Sequence, residues 1–152
     1  MDVLFYRLGT STLEATVTTF AERTLARGGR VAIRGTGAAR LDMLDAHLWT
    51  YGDGTFLPHG QAGGAHDADQ PVLLTTARAV PNGAGTLLLV DGARLDPAEL
   101  DGFERVALIF DGQDATATDE ARADWRTLSA TGHTAVFWAE EDGRWVEKAR
   151  SG

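Results

Sequence analysis

The sequence predicts one three-layer α/β/α Rossmann-like domain with a mostly parallel sheet, spanning residues 1–152. Five short runs are apolar on successive residues rather than alternate ones, the pattern of strands buried on both faces. Helical patterns lie between most of them, and right-handed crossovers then cover both sides of a parallel sheet. No internal repeat, low-complexity tract or linker divides the chain, and a chain of this size buries roughly 68–70% of its unfolded surface, enough for a single core.

The elements follow in order. The first strand is "VLFYRL" at 3–8. "STLE" then opens a helix, with Ser11 as cap and Glu14 completing a capping box; Leu13, Val17, Phe20 and Leu25 form the apolar stripe, and Gly28 and Gly29 end it. "RVAIRG" (30–35) is the second strand, followed by a helix near Ala38 to Trp49 that carries Leu41, Leu44 and Leu48 on one side. The stretch from Tyr51 to Gln70, rich in Gly, Asp and His, is the longest candidate loop. Strands at 71–76, 85–92 and 105–112 follow, with a short helix after the second of them, capped by Asp96 and with Pro97 at its first position. A fourth helix runs from about Asp114 to Thr131, and a strand and hairpin turning at Asp142 and Gly143 finish the chain.

Composition excludes several functions. Without cysteine there is no disulfide framework, thiolate metal site or cysteine nucleophile. No apolar run approaches the ~20 residues that span a bilayer, and "MDVLFYRLGT" has none of the parts of a secretory signal, so a cytoplasmic protein without membrane association is expected. The formal charge of −8 disfavours direct nucleic-acid binding. Thirteen of the 14 basic residues are arginine, whose planar guanidinium suits bidentate recognition of carboxylates.

The search for catalytic chemistry finds no constellation. "AIRGTGAARLDML" resembles half of a dinucleotide fingerprint, but Arg40 stands where the third glycine belongs, and a tight turn into the second helix explains the glycines equally. No phosphate-binding P-loop motif exists. Asp91 and Asp111 each end an apolar strand before a glycine, a place for functional carboxylates and equally for turns. His47, His59, His66 and His133 lack metal-site spacing, and no nucleophile elbow surrounds Ser11, Ser129 or Ser151. No catalytic residue, metal or cofactor is therefore expected. A small nucleotide- or metal-dependent enzyme using Gly35, Gly37, Asp91 and Asp111 is the competing reading, and a direct single-strand binder the third.

The fourth helix and one loop are more informative. At about 100° per residue, Ala117, Ala121 and Leu128 fall in one arc facing the sheet, with Trp125 about 60° to one side. Arg122 and Arg126 flank this indole, giving either an apolar notch with a positive rim or a core tryptophan covered by arginine stems. The notch would suit an acidic peptide with an apolar terminal side chain. "HLWTYGDGTFLPHG" (47–60) packs Trp49, Tyr51, Phe56 and Leu57 around helix-breaking residues, more apolar surface than a loop needs.

Taken together, "VLFYRL", "ARLDMLDAHLW" with "FLPHG", "RVALIFDG" and "ARADWRTLSATGHTAVFW" resemble the chi subunit of bacterial DNA polymerase III, over nearly the whole chain. The resemblance implies a non-catalytic clamp-loader subunit that links the complex, through the psi subunit or a repair helicase, to single-stranded DNA-binding protein, with DNA met only indirectly. It implies that Arg122, Trp125 and Arg126 receive the acidic C-terminal tail of that protein, and that Trp49 and Phe56 meet psi or the helicase, with Leu57, Pro58 and His59 shaping the surface. Thr118 and Ser129 stand where family members can carry basic residues, which implies weaker tail binding here or recruitment of arginines from elsewhere.

Overall fold

A computed structural model describes residues 2–50 and 58–151. Eight strands form one sheet in the order β3-β4-β2-β5-β6-β1-β7-β8. They are β1 (Asp2–Leu8), β2 (Val31–Arg34), β3 (His59–Gln61), β4 (Val72–Thr75), β5 (Thr86–Leu89), β6 (Arg105–Asp111), β7 (Thr134–Glu141) and β8 (Arg144–Arg150). All neighbouring pairs are parallel except β7 with β8. The hairpin turns where expected, with Asp142 at φ 53° and Gly143 at φ 74°. Positive φ at both central residues matches the right-handed twist of the strands that they join.

The α-helices are α1 (Leu13–Ala26), α2 (Ala38–Thr50) and α3 (Ala115–Ser129). Alternating strand residues divide the core between two faces. Leu4, Ile33, Leu74, Leu88 and Ile109 join Val17 and Ala21 of α1 and Leu41, Leu44 and Leu48 of α2. Val3, Phe5, Ala32, Leu87 and Leu108 join Ala121 and Leu128 of α3 on the other face. The three layers expected from the apolar runs are thus formed.

Local departures from the sequence reading have identifiable causes. Thr12, not Ser11, caps α1: its side chain accepts from the Ala15 backbone N–H at 3.1 Å. Ser11 is drawn away by Glu140, to which both its hydroxyl and its backbone N–H donate. The buried side of α1 is also less apolar than the stripe suggests, because Thr16, Thr18 and Thr24 are buried there. Each hydroxyl donates to the carbonyl four residues back, at 2.8–2.9 Å, so no polar group is stranded. α1 stops as expected: Gly28 adopts φ 81°, and the Gly28 and Gly29 N–H groups donate to Leu25 and Thr24 carbonyls.

The helix expected after Asp96 is a 3₁₀ helix (Pro97–Gly102) with the capping box formed by Asp96 and Glu99. Within the expected loop from Tyr51 to Gln70, the edge strand β3 and a 3₁₀ turn at Asp67–Asp69 are formed. Three residues are too few for sequence periodicity to reveal a strand.

Candidate functional sites

The helix α3 brings Trp125 onto the sheet. Asp114 caps its first turn, accepting from Ala117 N–H at 3.1 Å, and the buried Ala121 and Leu128 fix the face turned to the strands. Trp125, half-buried on the edge of that face, meets Phe5 at 5.3 Å and Phe137 at 6.2 Å between ring centroids, both edge-on. Such T-shaped pairs set the negative face of one ring against the positive edge of another. The indole is therefore at once core boundary and partly open surface.

Arg122 and Arg126 stand exposed on either side of Trp125 in the sequence. Arg122 lies 3.8 Å from Asp119 with its side chain 71% exposed, a separation at which solvent screens most of the attraction. Arg126 forms no ion pair among the described residues, and Asp124 is engaged elsewhere, with Arg94 at 2.7 Å. Desolvation holds the Asp124 carboxyl above its ordinary range, opposed by the Arg94 charge and reinforced by Glu120. Arg122 and Arg126 therefore keep their guanidinium groups exposed beside Trp125, with Asp119, Glu120 and Asp124 on the same helix. Thr118 and Ser129 add nothing to this surface, since their hydroxyls donate to the carbonyls of Asp114 and Arg126.

On the opposite face of the sheet, Trp49 lies in the last turn of α2, where the helix is expected to end. It is 57% exposed, and its ring meets the His59 ring at 5.2 Å. His59 is itself buried in β3, with Nε2 3.0 Å from the Asp45 carboxylate of α2. The side chains of α2 and β3 thereby brace one edge of the Trp49 ring. Met43, 55% exposed, is a second large apolar side chain open on the same helix, and the sequence reading missed it because it concentrated on aromatic residues. Pro58 is exposed, while Phe56 and Leu57 lie outside the described residues.

The aspartate candidates Asp91 and Asp111, but not Gly35 or Gly37, line a third feature, a cleft of about 600 Å³ at the carboxyl ends of the strands. α/β folds commonly bind ligands in that position. Here the chain's own side chains occupy the key groups. The Glu140 carboxylate accepts from the backbone N–H groups of Gly9 (2.9 Å) and Ser11 (3.0 Å), taking the anion position before α1. Although desolvation raises its pKa, hydrogen bonds from the Ser11 hydroxyl and from the Ser11, Gly9 and Thr10 backbone outweigh that effect and hold it below the usual carboxyl range.

Arg40, which interrupts the glycine pattern, spans the cleft instead: Nε donates to Asp91 and Nη1 to Glu14, each at 2.7 Å. The hydrogen bond to Asp91 is the largest of the effects that raise its pKa. Asp91 and Gly92 form a turn at φ 53° and 74°, and Asp111 accepts from the Gln113 N–H at 2.9 Å. Both aspartates therefore serve as turn formers. Gly35 supplies close packing, since a Cβ there would meet Leu41 at 3.3 Å. Among the described residues, no group of three or more His, Asp or Glu could hold a metal ion, and no helix is long and apolar enough to cross a membrane.

Residues 1–136 match the family model described as DNA polymerase III chi subunit, HolC. The chain is also 31% identical over 81 residues to a protein of Rickettsia prowazekii (strain Madrid E) named "Probable DNA polymerase III subunit chi". That match covers 50% of this chain and 49% of the relative, so the chain spans about half the length of this curated relative.

Proposed function

Because this chain belongs to the DNA polymerase III chi subunit family, we propose that it is a non-catalytic replisome adaptor in DNA replication. It binds the acidic C-terminal tail of single-stranded DNA-binding protein on α3, and the psi subunit or a repair helicase on α2. The observation that carries this reading is the half-buried Trp125 with the exposed Arg122 and Arg126 on either side of it, Arg122 held only by a long, solvent-screened contact to Asp119 and Arg126 without an ion pair among the described residues.

The tail's terminal side chain packs on the exposed part of Trp125 while its carboxylates meet Arg122 and Arg126. Charge-assisted hydrogen bonds contribute about 1.5–3 kcal/mol each, so two arginines and an aromatic contact support roughly micromolar binding, near −8.2 kcal/mol. With Thr118 and Ser129 turned to helix carbonyls, the affinity rests on those two charges. The other surface, for which Phe56 is also expected, has Trp49 and Met43 on α2, across the sheet from α3, so the two partners do not compete. The protein holds DNA only through its partner, which accommodates its net charge of −8.

The test is calorimetric titration with a short acidic peptide ending in Pro-Phe and a free carboxylate, beside the same peptide without the final Phe. Binding of the first alone, weakened by salt, supports the reading; binding of neither, or of both equally, refutes it. The cleft at the strand ends favours the nucleotide- or metal-dependent reading by position, against which stands Glu140 seated on the Gly9–Ser11 amides. Thermal shifts with nucleotides and divalent ions separate the two, since a ligand at 100 times its dissociation constant adds about 2.7 kcal/mol.

A further inference from the structure

Four arginines gather at the opposite end of the sheet from that cleft, where α1 finishes: Arg23 and Arg27 near its C-terminus, Arg30 before β2 and Arg105 at the start of β6. Arg27, Arg30 and Arg105 line a polar cleft of about 560 Å³ floored by glycine backbone. It continues into a notch of about 120 Å³ lined by Leu4, Leu88, Ala107 and the rings of Tyr6 and Phe20, with Arg23, Arg27 and Arg105 around it. Thr24, Arg27, Thr86 and Arg105 belong to both.

None of the four arginines forms an ion pair with a described residue, whereas Arg34, Arg40, Arg78, Arg94, Arg122 and Arg150 all do. Arg7, Arg126 and Arg144 form none either, so what sets this end of the sheet apart is four arginines in one place, with Glu104 and Asp2, the register neighbour of Arg105 on β1, as nearby carboxylates. The dipole of α1 accounts for Arg23 and Arg27 at its C-terminal end. It does not account for Arg105, on a strand, or for Arg30, whose Nη1 donates to the Ala68 and Asn82 carbonyls at 2.9 and 3.0 Å. Neutral acceptors thus hold the Arg30 charge in place without cancelling it. Burial raises the pKa of the Tyr6 hydroxyl while Arg105, Arg23 and Arg27 pull it down, so three guanidinium groups act on one ring. The one carboxylate lining the polar cleft, Glu104, packs over Gly85.

We propose that this cleft and notch bind an acidic peptide segment of a partner protein, its carboxylates on the arginines and one apolar side chain in the notch. The glycine-lined cleft lets an extended backbone approach closely, and the notch is sized for a side chain. Single-stranded nucleic acid fits less well. The Tyr6 ring packs against Phe20 at 4.6 Å and Trp145 at 5.1 Å, which leaves no open platform on which successive bases could stack. The site is on the α1 face, across the sheet from Trp125, and does not depend on the tail reading given for α3.

The test uses the intact chain and a peptide blocked at both ends, acetyl-Asp-Glu-Asp-Leu-Asp-Glu-amide, titrated at low salt. Arg27→Glu and Arg105→Gln, on separate elements and at exposed side chains, are each expected to weaken binding about tenfold or more, as is replacing the peptide's Leu by Ser. Arg144→Ala, at an exposed arginine on β8, is expected to leave it unchanged. Absence of binding, loss confined to Arg144→Ala, or tighter binding of oligothymidylate through the same arginines would each overturn the proposal. Melting curves of both variants identify loss through unfolding, and a folded variant of either arginine suffices for the decision.

Discussion

Trp125→Ala separates packing from binding at the α3 surface. The indole meets Phe5 at 5.3 Å and Phe137 at 6.2 Å, and it is only partly buried. Truncating a fully buried Phe or Trp costs about 3–5 kcal/mol, so a half-buried one costs about 2 kcal/mol. For a chain of this size that lowers Tm by about 4–8 °C, leaving the domain folded at 25 °C. Differential scanning calorimetry measures this shift. Titration of the same sample with the acidic peptide ending in Pro-Phe measures the function, where the lost apolar contact is expected to weaken binding about tenfold or more. A normal affinity beside the expected Tm loss would make Trp125 a core residue alone. An unchanged Tm would refute the packing argument itself, because two edge-on ring contacts would then have contributed nothing.

Other predictions concern separate parts of the molecule. Arg122→Ala should leave Tm within about 1–2 °C of the parent, being a surface change, and weaken tail binding most at low salt; a salt-independent loss would contradict a charge contact. Trp49→Ala with Met43→Ala should abolish binding of psi or the helicase in a pull-down while sparing the tail titration, and joint loss of both activities with lowered Tm would indicate a folding role. Glu99→Ala should destabilise by about 3 kcal/mol or more in denaturant melts, because it leaves the Arg34 guanidinium, 3% exposed, without its carboxylate partner. The carboxyl of Glu99, although raised by desolvation, is held below its ordinary value by hydrogen bonds from Arg34 and the Asp96 backbone. Its folded pKa lies below its unfolded one, so its stabilisation is complete above the unfolded carboxyl value and is lost as pH falls through the folded value. Melting against pH should therefore show a shallower acid limb in Glu99→Gln than in the parent.

The sequence by itself determined the architecture, because its signals are local. Successive apolar residues in "RVALIFDG", Gly28 after α1 and Asp142-Gly143 between β7 and β8 each specify a backbone state through burial or φ alone. Thr12 displaced Ser11 as cap because Glu140, distant along the chain, competes for the serine, and no local motif carries that information. The same reason limits the site. Helical angles placed Trp125 beside Arg122 and Arg126, all on one helix, but that Trp125 packs on Phe5 and Phe137 was decided by β1 and β7. Exposure of Met43 and Trp49 on α2, and the conversion of Arg40 from a fingerprint mismatch into a clasp on Glu14 and Asp91, likewise arose when distant elements met. Only tertiary structure put Arg23, Arg27, Arg30 and Arg105 around one cleft, since charge is written in the sequence but its compensation depends on which carboxylates the fold brings within reach.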